Sequence, residues 1–157
     1  NTTNHPIGSL LPRVPNFSNF YSYNGSGFTI ATFAFGAWDQ PNLPLAPGGG
    51  GFINTDTAFT NTFVGEVLQG SLTNPIPAGF SIRSSQVPQS GDVTTLGLTP
   101  TLSNFDNIYK YNGTGYTIYT LTFGSWSPST PVIDIAESVF INAQAPTSWN
   151  RTFSVNN

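Results

Sequence analysis

The chain has 157 residues, a formal net charge of −3, and no cysteine or methionine. Only 7% of its residues are charged, against about 25% in an average soluble domain. Four Lys and Arg residues cannot build a basic footprint for nucleic acid or acidic lipid. Without Cys there is no disulfide scaffold and no thiolate chemistry. The 14% aromatic content, unaccompanied by an apolar run of about 18 residues, describes a folded domain with no membrane-spanning helix. The sequence starts at Asn1 without an apolar leader, so it reads as a processed product or a fragment.

An internal repeat organises everything that follows. Residues 10–54 align with residues 98–142 without a gap, and nineteen of 45 positions are identical. They include Phe17/Phe105, Tyr21/Tyr109, Tyr23/Tyr111 and Trp38/Trp126, and the Phe-Ile-Asn triplets at 52–54 and 140–142. A two-residue shift then pairs Phe59 with Trp149 and Phe63 with Phe153. The expected fold is all-β: two tandem, related sandwich or barrel-like domains of short antiparallel strands. The first spans residues 1–66 and the second 67–157.

In chain order, Asn24-Gly25-Ser26-Gly27 is flanked by alternating aromatic runs, which predicts a β-hairpin. Asn112-Gly113-Thr114-Gly115 predicts the same in the second half. After each turn, positions 31/33/35 and 119/121/123 form the larger apolar face. Bends at 36–38 and 124–126 tuck a Trp over the core, and Pro-rich loops follow at 40–47 and 127–131. Further strands are expected at 51–54, 59–68, 79–84, 139–142 and 149–155. A short turn near 93–98 is the best helical candidate.

The repeat is uneven. Ahead of its matched core the second unit has an apolar strand, Gly79-Phe80-Ser81-Ile82-Arg83-Ser84, whereas nothing strand-like precedes Leu10. A sheet short of one strand exposes backbone N–H and C=O groups. A strand from a neighbouring copy can supply the missing pairing, and such head-to-tail contacts build filaments. The weakly favoured donor is the C-terminal segment Arg151, Thr152, Phe153, Ser154 and Val155, with its alternating Phe153 and Val155; the N-terminal stretch 1–11 is the other.

The stretches 65–75 and 78–85, then Tyr109-Lys110-Tyr111, Gly124-Ser125-Trp126 and Trp149-Asn150-Arg151-Thr152-Phe153, resemble uncharacterised exported bacterial tandem β-domain proteins of Verrucomicrobia-like genomes. The resemblance covers nearly the whole chain. It implies export and fold, with no assigned chemistry.

No residue pattern points to catalysis. His5 is the sole histidine, and it lacks a Ser or carboxylate context. None of the seven acids is shared by both halves of the repeat, so a carboxylate pair for glycoside hydrolysis has no local motif. Asn54-Thr55-Asp56 is too thin for a Ca²⁺ loop, and Gly48 to Gly51 lacks the Lys-Ser/Thr of a phosphate loop. No cofactor is expected. Lys110, the only lysine, is a candidate for an intramolecular isopeptide bond, although a solvent-facing role is the simpler one. Trp38, Trp126 and Trp149 could stack on surface glycans, but matched Trp residues in a repeat more often belong to the core. The sequence therefore favours an extracellular structural protein that assembles with copies of itself, with a carbohydrate-binding or adhesive module as the alternative.

Overall fold

The computed structural model describes residues 5–155. The elements, in order, are β1 (His5–Pro6), α1 (Ile7–Leu10), β2 (Ser18–Tyr23), β3 (Phe28–Ala34), β4 (Ala37–Trp38), β5 (Pro44–Leu45), β6 (Phe52–Asn54), β7 (Gly70–Ile76) and β8 (Gly79–Ser84). They continue through β9 (Gly91–Asp92), a 3₁₀ turn (Thr99–Thr101), β10 (Asn107–Tyr111), β11 (Tyr116–Thr122), β12 (Ser125–Ser127), β13 (Val132–Ile133), β14 (Ser138–Ala143) and β15 (Thr147–Phe153). The architecture is all-β, built of antiparallel sheets of which none closes on itself. The chain divides into two compact units, Asn1–Glu66 and Val67–Asn157.

In unit 1 the strands run in the order β4-β3-β2-β6. The β2–β3 hairpin forms where the Asn-Gly signal places it. Asn24 Oδ1 accepts the Ser26 and Gly27 N–H groups, and Gly25 takes a φ of 100° that a Cβ would resist. Tyr23 closes the turn by donating its hydroxyl to the Gly25 carbonyl at 2.9 Å. The core gathers Phe20, Ala31, Phe33 and Trp38 from the sheet against Ile7, Leu11 and Val14, with Phe59 partly buried beside them.

In unit 2 the sheet runs β12-β11-β10-β14-β8. Its first four strands repeat the unit 1 order and register: Phe20↔Ile53 and Tyr21↔Phe52 there are Ile108↔Ile141 and Tyr109↔Phe140 here. The second hairpin repeats the first, with Asn112 Oδ1 accepting from Thr114 and Gly115. Beyond these shared strands, β8 lies along β14 from Ser138↔Ser84 to Ala143↔Gly79. A separate ribbon pairs β7 with β15 from Thr147↔Ile76 to Phe153↔Gly70. Ile76 and Trp149 of that ribbon share one buried cluster with Ile108, Val139 and Ile141 of the larger sheet, a sandwich-like two-layer core.

Several expectations require correction. Residues 59–68 do not form a strand. Their counterpart in unit 2 is largely β15, which is extended because β7 pairs with it; among the described residues unit 1 has no β7, so β-propensity there finds no ladder. Strand β7 itself was not anticipated, because Asn74 occupies one of its buried positions and Pro75 interrupts the pattern. The apolar faces end early: Ala31, Phe33 and Leu121 are buried, but Phe35 is 91% exposed and Phe123 82% exposed, since the chain turns there. His5–Pro6, ahead of Leu10 where no strand is expected, pairs with β5 inside the expected loop 40–47, and Val132–Ile133 pairs with β9, two short strands without a sequence expectation. The turn near 93–98 is present as successive turns leading into the 3₁₀ segment.

Candidate assembly edge

The strand β14 is flanked on both sides, by β10 and by β8. Its counterpart β6 has β2 on one side, and among the described residues it is the last strand of its sheet. The difference shows in side chains that occupy the same position of the repeat. Ile141 is fully buried (0% exposed), whereas Ile53 is 40% exposed. The opposite face of the sheet differs in parallel. In unit 2, Phe80 of β8 lies 5.3 Å from Tyr109 and 6.2 Å from Phe140, and Tyr116 adds a further ring 6.0 Å from Phe140. Unit 1 has the counterparts of three of these rings, with Phe28 6.3 Å from both Tyr21 and Phe52. Among the described residues no strand lies beyond β6 to contribute a ring as β8 does. An open sheet edge flanked by partly exposed apolar side chains is a template for a further strand.

The sequence-predicted donor is partly engaged in its own unit. Arg151, Thr152 and Phe153 pair with Leu72, Ser71 and Gly70 in the β15–β7 ribbon. The Arg151 guanidinium donates to Gln89 Oε1 at 2.8 Å, and burial pushes its pKa down. Ser154 and Val155 lie beyond the ladder; Val155 is 54% exposed and gives its N–H to Gln69 Oε1 at 3.2 Å. The N-terminal alternative is engaged as well, with His5–Pro6 paired to β5 and Ile7 buried. Residues 1–4 lie outside the described part of the chain.

Glycan stacking at the three tryptophans is corrected by their burial. Trp38, Trp126 and Trp149 all sit in the cores. Each indole N–H points inward, to the Leu11 carbonyl at 2.8 Å, the Thr99 hydroxyl at 3.0 Å and the Leu96 carbonyl at 2.7 Å. A ring enclosed in this way offers no platform to a sugar. Lys110 is not simply solvent-facing: its ammonium donates to the Val132 carbonyl at 2.7 Å and pairs with Glu137 at 3.0 Å. Among the described residues no three His, Cys, Asp or Glu side chains converge on a common point. Two shallow depressions, about 360 Å³ beside Trp38 and Asp39 and about 270 Å³ between β7 and β15, gather no such cluster.

One feature had no sequence signal. Phe17, Phe35, Phe105 and Phe123 all adopt positive φ, between 49° and 70°, a region where a bulky side chain is strained. They form two exposed edge-to-face pairs at equivalent places, Phe17–Phe35 at 6.2 Å and Phe105–Phe123 at 6.5 Å. Asn104 Oδ1 holds the second corner by accepting the Phe123 N–H at 2.7 Å, and Asn16 Oδ1 accepts the Gly36 N–H at the first.

No family model, curated protein or solved structure matches this chain. Its functional reading therefore rests on the geometry of the open edge.

Proposed function

We propose that this chain is an extracellular structural protein, the subunit of a filament that assembles by strand complementation between copies. In this reading residues 1–66 and 67–157 are two tandem related β-sandwich units, and the first is completed by a strand from a neighbouring molecule. One observation carries it: among the described residues the shared sheet continues into β8 in unit 2 and ends at β6 in unit 1, where Ile53 is 40% exposed and its counterpart Ile141 is enclosed. The low charge is compatible with close packing of identical surfaces, since few like charges oppose it. A strand that passes from one molecule to the next makes a heterologous contact, and repetition of that contact gives an open polymer.

Negative-stain microscopy of the purified chain, with light scattering over a range of concentrations, is the test. Filaments whose mass grows with concentration are expected. A monodisperse monomer at all concentrations would overturn the proposal.

A further inference from the structure

We infer that the strand completing unit 1 is Phe153-Ser154-Val155 of a second copy, seated on β6 in the place and register that Phe80-Ser81-Ile82 takes on β14. The inference rests on the filament reading and names its donor. Its first support is the pattern of the two segments. Both are an aromatic residue, a serine and a branched aliphatic residue in sequence. Each position in β8 has its own requirement. Phe80 adds its ring to the outer aromatic cluster. Ser81 is buried opposite Ile141, where the sheet faces the core and a small side chain is needed. Ile82 is buried opposite Phe140. Phe153, Ser154 and Val155 meet these three requirements in the same order.

The second support is availability. The β15–β7 ladder ends at Phe153↔Gly70, so release of the tail gives up one ladder pair, the Val155–Gln69 hydrogen bond and the interaction that Ser154 makes, while the rest of the ladder is kept. Arg151 and Thr152 stay in their own ribbon. Neither the tail triplet nor Phe52-Ile53-Asn54 carries a charge, so no ion must be desolvated when they meet. Carried over from unit 2, the register places Phe153 opposite Asn54, Ser154 opposite Ile53 and Val155 opposite Phe52. The strands run antiparallel, and the contact extends an existing sheet by one member.

The native chain has no cysteine, so an engineered pair reports this register without background. Ile53→Cys combined with Ser154→Cys, oxidised mildly after assembly, is expected to give a ladder of covalent multimers that collapses in reductant. The pair Asn54→Cys with Ser154→Cys is out of register by one residue, which puts the thiols on opposite faces, and is expected to give none. Val155→Asp, at a half-exposed site, is expected to abolish polymer while leaving the far-UV circular dichroism spectrum of the monomer unchanged. Filaments that form without the in-register ladder, that cross-link equally through the shifted pair, or that persist in Val155→Asp would overturn the donor while the filament reading stands. A bridge closed within one molecule would overturn it too. Absence of filaments from the native chain would overturn both.

Discussion

The open edge makes a quantitative prediction about two isoleucines that share one position in the repeat. Truncating Ile to Ala removes about three carbon groups, worth about 0.8 kcal/mol each when fully enclosed. At Ile141, which is 0% exposed, the transfer loss of about 2.4 kcal/mol is joined by a cavity that its neighbours cannot close. Ile141→Ala should therefore cost about 3–4 kcal/mol. At Ile53, 40% exposed, only about three-fifths of that transfer is at stake and no enclosed cavity results, so Ile53→Ala should cost about 1.5 kcal/mol in the monomer. The two units need not unfold together, so the measurement must resolve them. Hydrogen exchange across a urea series, followed in peptides spanning β2 and β10, does so. Assembled protein should show the Ile53→Ala cost moving toward the Ile141→Ala value as the groove fills. Equal costs in dilute monomer would refute the claim that β6 lies open.

Two further outcomes follow from buried and capped carboxylates. Asp106 is buried and accepts the Ser103 and Gln144 N–H groups, each at 2.8 Å, one on each oxygen. Asp106→Asn turns an amide NH₂ toward one of these donors and should cost about 1–3 kcal/mol in the urea unfolding of unit 2, while unit 1, which has Ser18 at this place, is unaffected. Asp92 is held below the usual carboxylate range by the Thr95 hydroxyl, then by the Thr95 and Thr94 N–H groups. A depressed folded pKa stabilises above the unfolded value, about 3.9, and that support is lost as pH falls through the lower folded value. Thermal melts between pH 5 and pH 2 should lose stability on acidification, and Asp92→Asn should flatten that part of the loss.

The sequence made the hairpins and the repeat legible because both rest on local chemistry. Asn-Gly turns fix their own hydrogen bonds, and paired positions such as Ile30/Ile118 or Trp38/Trp126 need no partner to be recognised. What it hid depends on partners. Residues 59–68 look like a strand because propensity registers Phe59, Phe63 and Val64 without asking what lies beside them. Strand β7 is hidden for the converse reason: Asn74 is buried because its amide donates to the Ser84 carbonyl at 3.1 Å, a bond no periodicity reveals. At the candidate site, the lack of a β8 counterpart ahead of the first repeat was readable, and among the described residues no strand flanks β6 beyond β2, although the short β1 at His5–Pro6 was not foreseen. The engagement of Arg151 to Phe153 was not, since residues 70–72 that pair with them carry little apolar alternation. The four phenylalanines at positive φ escaped because sequence rules assign such geometry to Gly, Asn or Asp.

A tandem repeat risks pairing its halves wrongly while it folds, since β2 could take β14 as readily as β6. Residues beside the shared register oppose this exchange. A Cβ on Gly51 would lie 2.6 Å from the Phe20 ring and 2.6 Å from the Tyr21 carbonyl oxygen, whereas unit 2 has the smaller Ile108 with Val139 at the matching places. Crossing the halves would set Phe20 against Val139, which is too bulky, and Ile108 against Gly51, which leaves a void. Steric mismatch between near-identical strands thus sorts each to its own sheet, and the two halves of one polypeptide can resemble each other closely without becoming entangled.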